Sequence, residues 1–157
     1  MLNLKKELEI MMHLRRDGRE TLTRISSATN LPISTIYDRV KNNKTGFVKR
    51  HISLLNFAKL GYDCHINLVL KVGKEDRERL RDFLLHQHAV NTLYRINNGY
   101  DFSAECVFRN IKYAEEFIDQ LQDKFKIKEL RTYHIIDELC KEVFLSDPLH
   151  VDLVCEK

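Results

Sequence analysis

Polar and basic side chains are concentrated in one short stretch of the sequence, between Pro32 and Arg50. Hydroxyl, carboxylate, guanidinium and ammonium groups can bond the edges of nucleic-acid bases or the oxygens of phosphates, and the cations also attract a polyanion. The side chains with this chemistry are Ser34, Thr35, Tyr37, Asp38, Arg39, Lys41, Lys44, Lys49 and Arg50. They can act together only if one helix and the segment that follows it present them on one surface.

The spacing of apolar residues predicts such a helix from Ile33 to Asn43, with Ile36 and Val40 on its buried side. A shorter helix is predicted over residues 23–29. Residues 30–32 (Asn-Leu-Pro) separate the two, because Asn tolerates a positive φ and Pro fits the first turn of a helix. Two helices joined by a turn this short, the second polar on its outer side, suit insertion of a helix into the DNA major groove.

The elements on either side of these two helices complete a predicted winged helix-turn-helix. Residues 4–16 place Leu4, Leu8, Met11 and Leu14 on one face of an amphipathic helix. Residues 47–55 have the composition of two small strands, which predicts a wing with Lys49 and Arg50 near its tip. Phosphate contacts would be the role of those two cations.

The distribution of charge favours the same function. Residues 1–60 hold 12 Lys and Arg against 5 Asp and Glu, or +7, whereas residues 61–157 hold 14 against 18, or −4. A basic head on an acidic remainder is typical of a polyanion-binding domain joined to a partner domain. No apolar stretch reaches the length of a membrane span, and a charged N-terminus argues against a secretory signal, so we expect a cytoplasmic protein.

Other kinds of functional site find little support in the sequence. The cysteines are scattered, and Cys64 and Cys106 lie in alternating apolar runs, which predicts buried small side chains. His86 and His88 are two residues apart on a predicted helix and would point in different directions, so no metal site is expected. No nucleophile motif, phosphate-binding loop or dinucleotide motif occurs, and we expect neither an enzyme nor a cofactor.

From Tyr62 the apolar residues alternate with a period of two, which predicts a half-buried strand to Val72. The segments that follow are a helix (74–87), two strands (90–96 and 102–108) joined by a turn, a helix capped by Asn110, and a strand (127–136). This β-α-β-β-α-β order predicts an α+β, ferredoxin-like domain with both helices on one face of an antiparallel sheet. The uncovered face is expected to be apolar enough to pack in a homodimer.

These patterns divide the chain into four parts. Residues 1–55 form the predicted winged helix-turn-helix DNA-binding domain, 56–61 a linker, 62–145 the ferredoxin-like domain for effector binding and dimerisation, and 146–157 a C-terminal tail. Residues 137–144 fit either a helix or an edge strand, and the tail beyond Pro148 is expected to be partly disordered.

The order of these elements, together with several local motifs, resembles the Lrp/AsnC family of transcription regulators over residues 4–145. The matching fragments are Asp17-Gly18-Arg19, Leu22-Thr23, Leu31, Ser34-Thr35-Ile36, Arg39-Val40-Lys41, Gly46-Phe47-Val48, Lys59-Leu60-Gly61-Tyr62 and Tyr100-Asp101-Phe102. The resemblance implies a DNA-binding homodimer, often assembled into octamers, that binds an amino acid or a similar small effector between C-terminal domains. By position, the turn that would border the effector is Asn97, Asn98, Gly99, Tyr100 and Asp101.

Three positions depart from the pattern of the family. Pro32 stands where the family commonly has a capping Ser, and Asp38 stands where it often has a neutral or basic residue. Gly99 directly precedes Tyr100, so that Asn98 takes the place of the usual turn glycine. Asn can adopt the left-handed conformation that such a turn requires.

Two functions from different classes therefore compete. The first is a sequence-specific, DNA-binding transcription regulator, in which Ser34, Tyr37 and Asp38 read base edges and the cations bind phosphate. The alternative is a small-molecule sensor or nucleoid-like assembly protein with weak, non-specific DNA binding.

Overall fold

The computed structural model describes residues 2–42 and 46–155 and divides the chain into two units. Unit 1 comprises the residues up to Leu54 together with those from Leu139 onward, and unit 2 comprises Leu55–Glu138. In chain order the elements are α1 Leu2–Arg16, α2 Leu22–Thr29, α3 Ile33–Asn42, β1 Cys64–Val72, α4 Arg77–Leu85, β2 Val90–Arg95, β3 Phe102–Phe108, α5 Ile111–Lys124, β4 Ile127–His134 and α6 Pro148–Cys155.

The helix-turn-helix of unit 1 is built from α2 and α3. The Thr21 side chain caps α2 by accepting from the backbone N–H of Arg24. Asn30 ends α2 in the left-handed conformation, with φ of 53°, and the Ser26 hydroxyl donates to the Leu31 carbonyl across the turn at 2.6 Å. These local bonds set the turn between the helices, as the sequence of the turn predicts.

The core of unit 1 joins all three N-terminal helices. Ile10 of α1, Ile25 of α2 and Ile36 of α3 are fully buried, and Leu31 from the turn packs with them. The partly buried residues around them are Met11, Leu14, Leu22 and Val40. Each helix contributes its apolar stripe, which accounts for the spacing of these residues in the sequence.

The C-terminal segment differs from the sequence-based prediction. Residues 137–144 form neither the helix nor the edge strand considered for them, and α6 forms where partial disorder was expected. Val151 of α6 is buried against Leu8 and Met12 of α1. The two helices can pair because α1 has a second apolar face, on the side away from Ile10, that the residues up to 55 do not cover.

Ion pairs flank this contact between α1 and the C-terminal segment. Lys5 lies 2.8 Å from Asp152, and Arg15 lies 2.6 Å from Glu142. The Arg15 guanidinium also donates to the Phe144 carbonyl. Acids of the C-terminal segment therefore neutralise cations of α1, which leaves the remaining basic side chains of unit 1 to define its positive surface.

The predicted wing strands are absent from the described residues. Residues 46–56 run without a strand assignment, although Phe47 and Ile52 have side chains typical of strands. Strand propensity largely reflects packing against a neighbouring strand, and the described part of this segment has no such neighbour. The prediction of a helix-turn-helix is confirmed, whereas the prediction of two wing strands is wrong for these residues.

Unit 2 has the predicted β-α-β-β-α-β order, and its four strands form one antiparallel sheet in the order β2-β3-β1-β4. Alternate residues of β1 are buried, from Cys64 to Val72. They pack against Leu80 and Leu84 of α4 and Phe117 of α5. Both helices therefore cover one face of the sheet, as predicted for a ferredoxin-like domain.

The structure also places the two cysteines as expected. Cys64 and Cys106 are free and buried in the core of unit 2. Burial, followed by the charge of Glu105, raises the pKa of the Cys106 thiol to about 12. A thiol with such a pKa behaves as a small apolar side chain rather than as a nucleophile.

The face of the sheet away from α4 and α5 carries both polar pairs and apolar side chains. His65 of β1 lies 2.9 Å from Glu105 of β3, and the Ser103 hydroxyl donates to the Asn67 amide oxygen at 2.9 Å. Val69 and Val107 are apolar residues of this face, and Tyr94 and Tyr133 expose their rings on it. The alternation of β1 shows which of its residues share a face. It does not show their partners on β3, because those residues are far apart in the chain.

The substitution Val151→Ala tests the packing of α6 on α1. We expect it to lower the free energy of unfolding by about 1–3 kcal/mol, because it removes buried methyl groups from the contact with Leu8 and Met12. The measurement is urea unfolding followed by circular dichroism. Leu153→Ala is the matched control, since that side chain is 68% exposed on the same helix. Equal midpoints for the two variants would contradict the packing described.

Candidate nucleic-acid interface

Four exposed side chains form a continuous stripe along α3. Ser34, Tyr37, Asp38 and Lys41 follow one another at intervals of three, one and three residues, so they share one side of the helix. Ile36 is fully buried on the opposite side. We call these four residues the outer face of α3; it combines a hydroxyl, a phenol, a carboxylate and an ammonium group, the chemistry needed to read base edges and bind phosphate.

Two further predicted DNA contacts lie on the flank of the helix instead. Thr35 is half-buried, and the Arg39 side chain is only 21% exposed because its guanidinium binds the Glu7 carboxylate of α1 at 3.0 Å. Glu7 is itself buried. Arg39 therefore holds α3 against α1, and its charge is largely committed within unit 1.

The role of Glu7 was missed in the sequence, although a signal for it exists. Glu7 lies within the apolar stripe of α1, three residues after Leu4 and four before Met11. An acid in the apolar stripe of a helix requires a buried partner, because burial of a lone charge is costly. The position of Glu7 in the sequence therefore predicts a cationic partner on a neighbouring helix, which the structure identifies as Arg39 of α3.

Lys41 and Tyr37 interact with each other on the outer face. The Lys41 ammonium lies over the Tyr37 ring, 5.4 Å from the ring centre, which is a cation–π contact. Tyr37 is 49% exposed. The contact limits the freedom of both side chains while leaving the phenol and the ammonium accessible.

The remaining predicted cations lie after α3. Lys49 and Arg50 are exposed, in the segment that follows Gly46, whose φ is 67°. Lys44 lies outside the described residues. Among the cations that sequence analysis did not select, Arg24 in the first turn of α2 has a side chain that is 78% exposed, so it too is accessible to a phosphate. The signal for Arg24 would have been its place at the start of the first helix of the helix-turn-helix, which crosses the DNA backbone in this motif.

The predicted effector turn lies in unit 2, between β2 and β3. Asn98 and Gly99 both have positive φ, 61° and 90°, so Asn98 adopts the left-handed conformation expected of it. Asn97, Asn98 and Gly99 are exposed. The two amide groups are therefore available to a ligand, whereas the next two residues of the turn have partners within the chain.

Asp101 is buried, and both of its carboxylate oxygens are engaged. One accepts from the backbone N–H of Val72 at 3.0 Å, and the other lies 2.5 Å from the Arg77 guanidinium. The Asp101 backbone N–H also donates to the Leu70 carbonyl at 2.8 Å. Asp101 thus joins the β2–β3 turn to the end of β1 and the start of α4.

Tyr100 has a different set of partners. Its hydroxyl donates to Glu129 of β4, and the Arg131 guanidinium lies 5.4 Å from its ring centre. The bond to Glu129 raises the pKa of Tyr100 and lowers the pKa of Glu129. The shared proton therefore stays on the phenol, and the pair ties the turn to the edge of the sheet.

Residues 2–42 and 46–155 contain neither a metal-binding cluster nor a membrane-spanning helix. Within these ranges no group of three or more His, Cys, Asp or Glu side chains is placed to hold a metal ion. His86 lies at the end of α4, where its ring nitrogen is 2.6 Å from the Asp82 carbonyl. No helix in the described part of the chain is both long and apolar enough to cross a membrane.

Comparison with known sequences gives relatives along nearly the whole chain. It is 27% identical over 146 residues to an uncharacterized HTH-type transcriptional regulator of Pyrococcus horikoshii, covering 92% of this chain and 95% of the relative. It is 27% identical over 118 residues to the HTH-type transcriptional regulator FL11 of Pyrococcus furiosus, covering 74% of this chain and 76% of FL11. No protein-family model matches the chain.

Solved structures share the fold of both units. LrpC of Bacillus subtilis aligns with a TM-score of 0.76 at 19% identity, covering 86% of this chain and 95% of LrpC. AsnC of Escherichia coli aligns with a TM-score of 0.75 at 18% identity, covering 88% and 94%. The regulator NMB0573 of Neisseria meningitidis, in complex with L-Met, aligns with a TM-score of 0.79 at 16% identity, covering 87% and 91%.

The related sequences are helix-turn-helix transcription regulators, and the chain is similar to them along most of its length and contains the helix-turn-helix itself. Within this class, the resemblance to the Lrp/AsnC family that the sequence motifs indicate is confirmed.

Arg39 and Lys41 should behave differently when each is replaced. Arg39→Ala removes a guanidinium that binds the buried Glu7 carboxylate, and we expect a loss of about 1–3 kcal/mol in the free energy of unfolding. Lys41→Ala should change stability by less than about 0.5 kcal/mol while weakening DNA binding, because Lys41 is exposed on the outer face. Urea unfolding and fluorescence anisotropy with a DNA duplex measure the two effects. A stable Arg39→Ala variant would show that the pair with Glu7 does not hold α3.

Asp101 should matter for folding even when no effector is present. Asp101→Ala leaves the Val72 N–H and the Arg77 guanidinium without their acceptor, and we expect it to destabilise the protein by about 1–3 kcal/mol. Asn97→Ala, at an exposed position of the same turn, is the control and should leave stability within about 0.5 kcal/mol. Both are measured by urea unfolding without added amino acids. Unchanged stability of Asp101→Ala would instead favour a role confined to ligand binding.

Proposed function

We propose that the protein is a sequence-specific DNA-binding transcription regulator that inserts α3 into the major groove. The observation that carries this proposal is the outer face of α3, a stripe of four exposed polar side chains on the second helix of a helix-turn-helix. In this motif the second helix lies in the groove and its first residues contact base edges. Ser34, Tyr37 and Asp38 occupy that part of α3, and Lys41 lies in its last turn.

Phosphate contacts are proposed for the exposed cations around α3. Lys41, Lys49 and Arg50 supply charge on and after the helix, and Arg24 supplies it at the start of α2. Among residues 2–42 and 46–155, the acid paired with one of these cations is Glu20, 3.8 Å from Arg24, whereas Lys5 and Arg15 of α1 have closer acids in the C-terminal segment. Attraction to phosphate would then depend on the α2–α3 side of unit 1.

A homodimer, with assembly to octamers as a further step, is proposed from the resemblance to the Lrp/AsnC family. Two copies of α3 related by a two-fold axis would enter successive major grooves, so the operator would be a rough palindrome with half-sites one helical turn apart. The mixed polar and apolar face of the sheet in unit 2 would suit a partly hydrated interface, since His65 and Glu105 already satisfy each other there.

An amino acid or a similar small molecule is the proposed effector, bound between C-terminal domains near Asn97–Asp101. Support comes from NMB0573, a structural neighbour whose structure is a complex with L-Met. In this chain the exposed Asn97 and Asn98 amides would contact the ligand beside Gly99, while Tyr100 and Asp101 would shape the turn through Glu129 and Arg77. Binding there would change assembly and hence DNA affinity.

The proposal assigns no catalytic role and no cofactor to the protein. A transcription regulator acts where the chromosome is, so we propose the cytoplasm as its compartment. The competing function is a small-molecule sensor or nucleoid-like protein that coats DNA without sequence preference, which the net charge of +7 over residues 1–60 favours. Selection of bound sequences separates the two.

Selection from a pool of random duplexes at moderate salt should enrich a two-fold motif with half-sites about one helical turn apart. Enrichment of no sequence, with binding that disappears as salt rises, would contradict specific regulation and leave non-specific coating. An effector is then sought by calorimetry against each of the twenty amino acids.

On the selected duplex, the double substitution Lys49→Ala/Arg50→Ala should reduce the slope of log K against log salt by about 2, since each lost phosphate contact contributes about 0.9. Lys74→Ala, at an exposed position of unit 2, is the control for a lost positive charge. An unchanged slope in the double variant would place the DNA elsewhere on the protein.

A further inference from the structure

Asp38 is an exposed acid in the middle of the outer face of α3, and the cations beside it are directed elsewhere. The Arg39 guanidinium binds Glu7 at 3.0 Å. The Lys41 ammonium lies over the Tyr37 ring and forms no ion pair with Asp38. Within the described ranges of unit 1, the Asp38 carboxylate therefore has no ion-pair partner, and its oxygens remain available as acceptors on the surface proposed to meet DNA.

A carboxylate at this position has few favourable partners in DNA. It is repelled by phosphates, and it accepts hydrogen bonds but donates none. In the major groove guanine presents the acceptors N7 and O6 and thymine presents the acceptor O4, so both repel it. Only the amino groups of cytosine and adenine can donate to it.

Cytosine suits the carboxylate better than adenine does. The N4 amino group of cytosine has no acceptor beside it on the same base edge, whereas the N6 amino group of adenine lies next to the acceptor N7. A carboxylate that approaches adenine therefore gains one hydrogen bond and meets one repulsive lone pair. An Asn side chain can satisfy both adenine groups, because its amide donates as well as accepts.

From this placement we propose that Asp38 is a specificity-determining residue, which requires a cytosine at one position of each half-site by accepting a hydrogen bond from its N4 amino group. The inference rests on the proposed function, since it needs α3 to lie in the major groove. It also assigns Asp38 a second effect, which is to weaken binding to DNA that lacks the cytosine. Repulsion from phosphate would then be offset only at the correct site.

The test compares selections from random duplexes by the natural protein, by Asp38→Ala and by Asp38→Asn. The natural protein should enrich a motif with a cytosine at one position per half-site. Asp38→Ala should enrich the same motif without a preference at that position, and Asp38→Asn should shift the preference towards adenine. On purified duplexes, replacing that C·G pair by T·A should weaken the natural protein on the order of ten-fold and the Asp38→Ala variant less than about two-fold.

Two controls separate base reading from charge. Asp119→Asn removes an exposed acid from α5 in unit 2, and it should retain the cytosine preference. A duplex with 5-methylcytosine at the position keeps the N4 donor, and it too should bind the natural protein better than the T·A duplex. Asp38→Ala should also bind a duplex without the motif more tightly than Asp119→Asn does, because it removes the charge nearest the DNA.

The failure of this inference differs from the failure of the proposed function. If the natural protein and Asp38→Ala enrich the same motif with the same base preferences, Asp38 does not read a base, and the regulator function stands. If the natural protein enriches no motif at all, both the specific regulator and the role of Asp38 are overturned. Circular dichroism confirms that each variant is folded before its selection is interpreted.

Discussion

The burial of Ile36 against Ile10 and Ile25 is the constraint on which the rest of unit 1 depends. A helix that buries one side chain on a given side has its rotation about its own axis set, so every other side chain takes a defined direction. On α3 this rotation turns Tyr37 and Asp38 outward and leaves Arg39 on the flank, within reach of Glu7. The chemistry of the outer face is therefore a consequence of apolar packing on the other side of the same helix.

The conformation of the β2–β3 turn in unit 2 is also fixed by one buried residue, Asp101, which acts through hydrogen bonds and not through apolar packing. Its carboxylate satisfies the backbone at the end of β1 and the guanidinium at the start of α4. Such a buried, fully bonded acid fixes the conformation of the turn, because any other arrangement leaves a charge without a partner. The exposed amides of Asn97 and Asn98 lie in the same turn, so the turn combines a residue held by its partners, Asp101, with two side chains that are accessible to a ligand.

Much of this architecture follows from local patterns in the sequence. The period-two run after Tyr62 predicts β1, and Asn110 caps α5 as its residue type suggests. The exposed stripe of α3 is likewise visible in the spacing of Ile36 and Val40. The pair of Glu7 with Arg39 and the packing of Val151 on α1 are contacts between distant parts of the chain. Periodicity within one segment carries no information about which distant segment will cover it. The prediction of two strands over residues 47–55 was wrong for the same reason, since composition alone does not supply a neighbouring strand.

The contact between α6 and α1 brings together residues about 140 positions apart, as Leu8 and Val151 show. Proteins are synthesised from the N-terminus, and domains generally begin to fold as they leave the ribosome. The helix-turn-helix can form early, but the apolar surface of α1 that receives Val151 stays open to water until α6 has emerged. Completion of unit 1 is thereby delayed until α6 has been synthesised, and unit 2 is already synthesised by the time unit 1 closes.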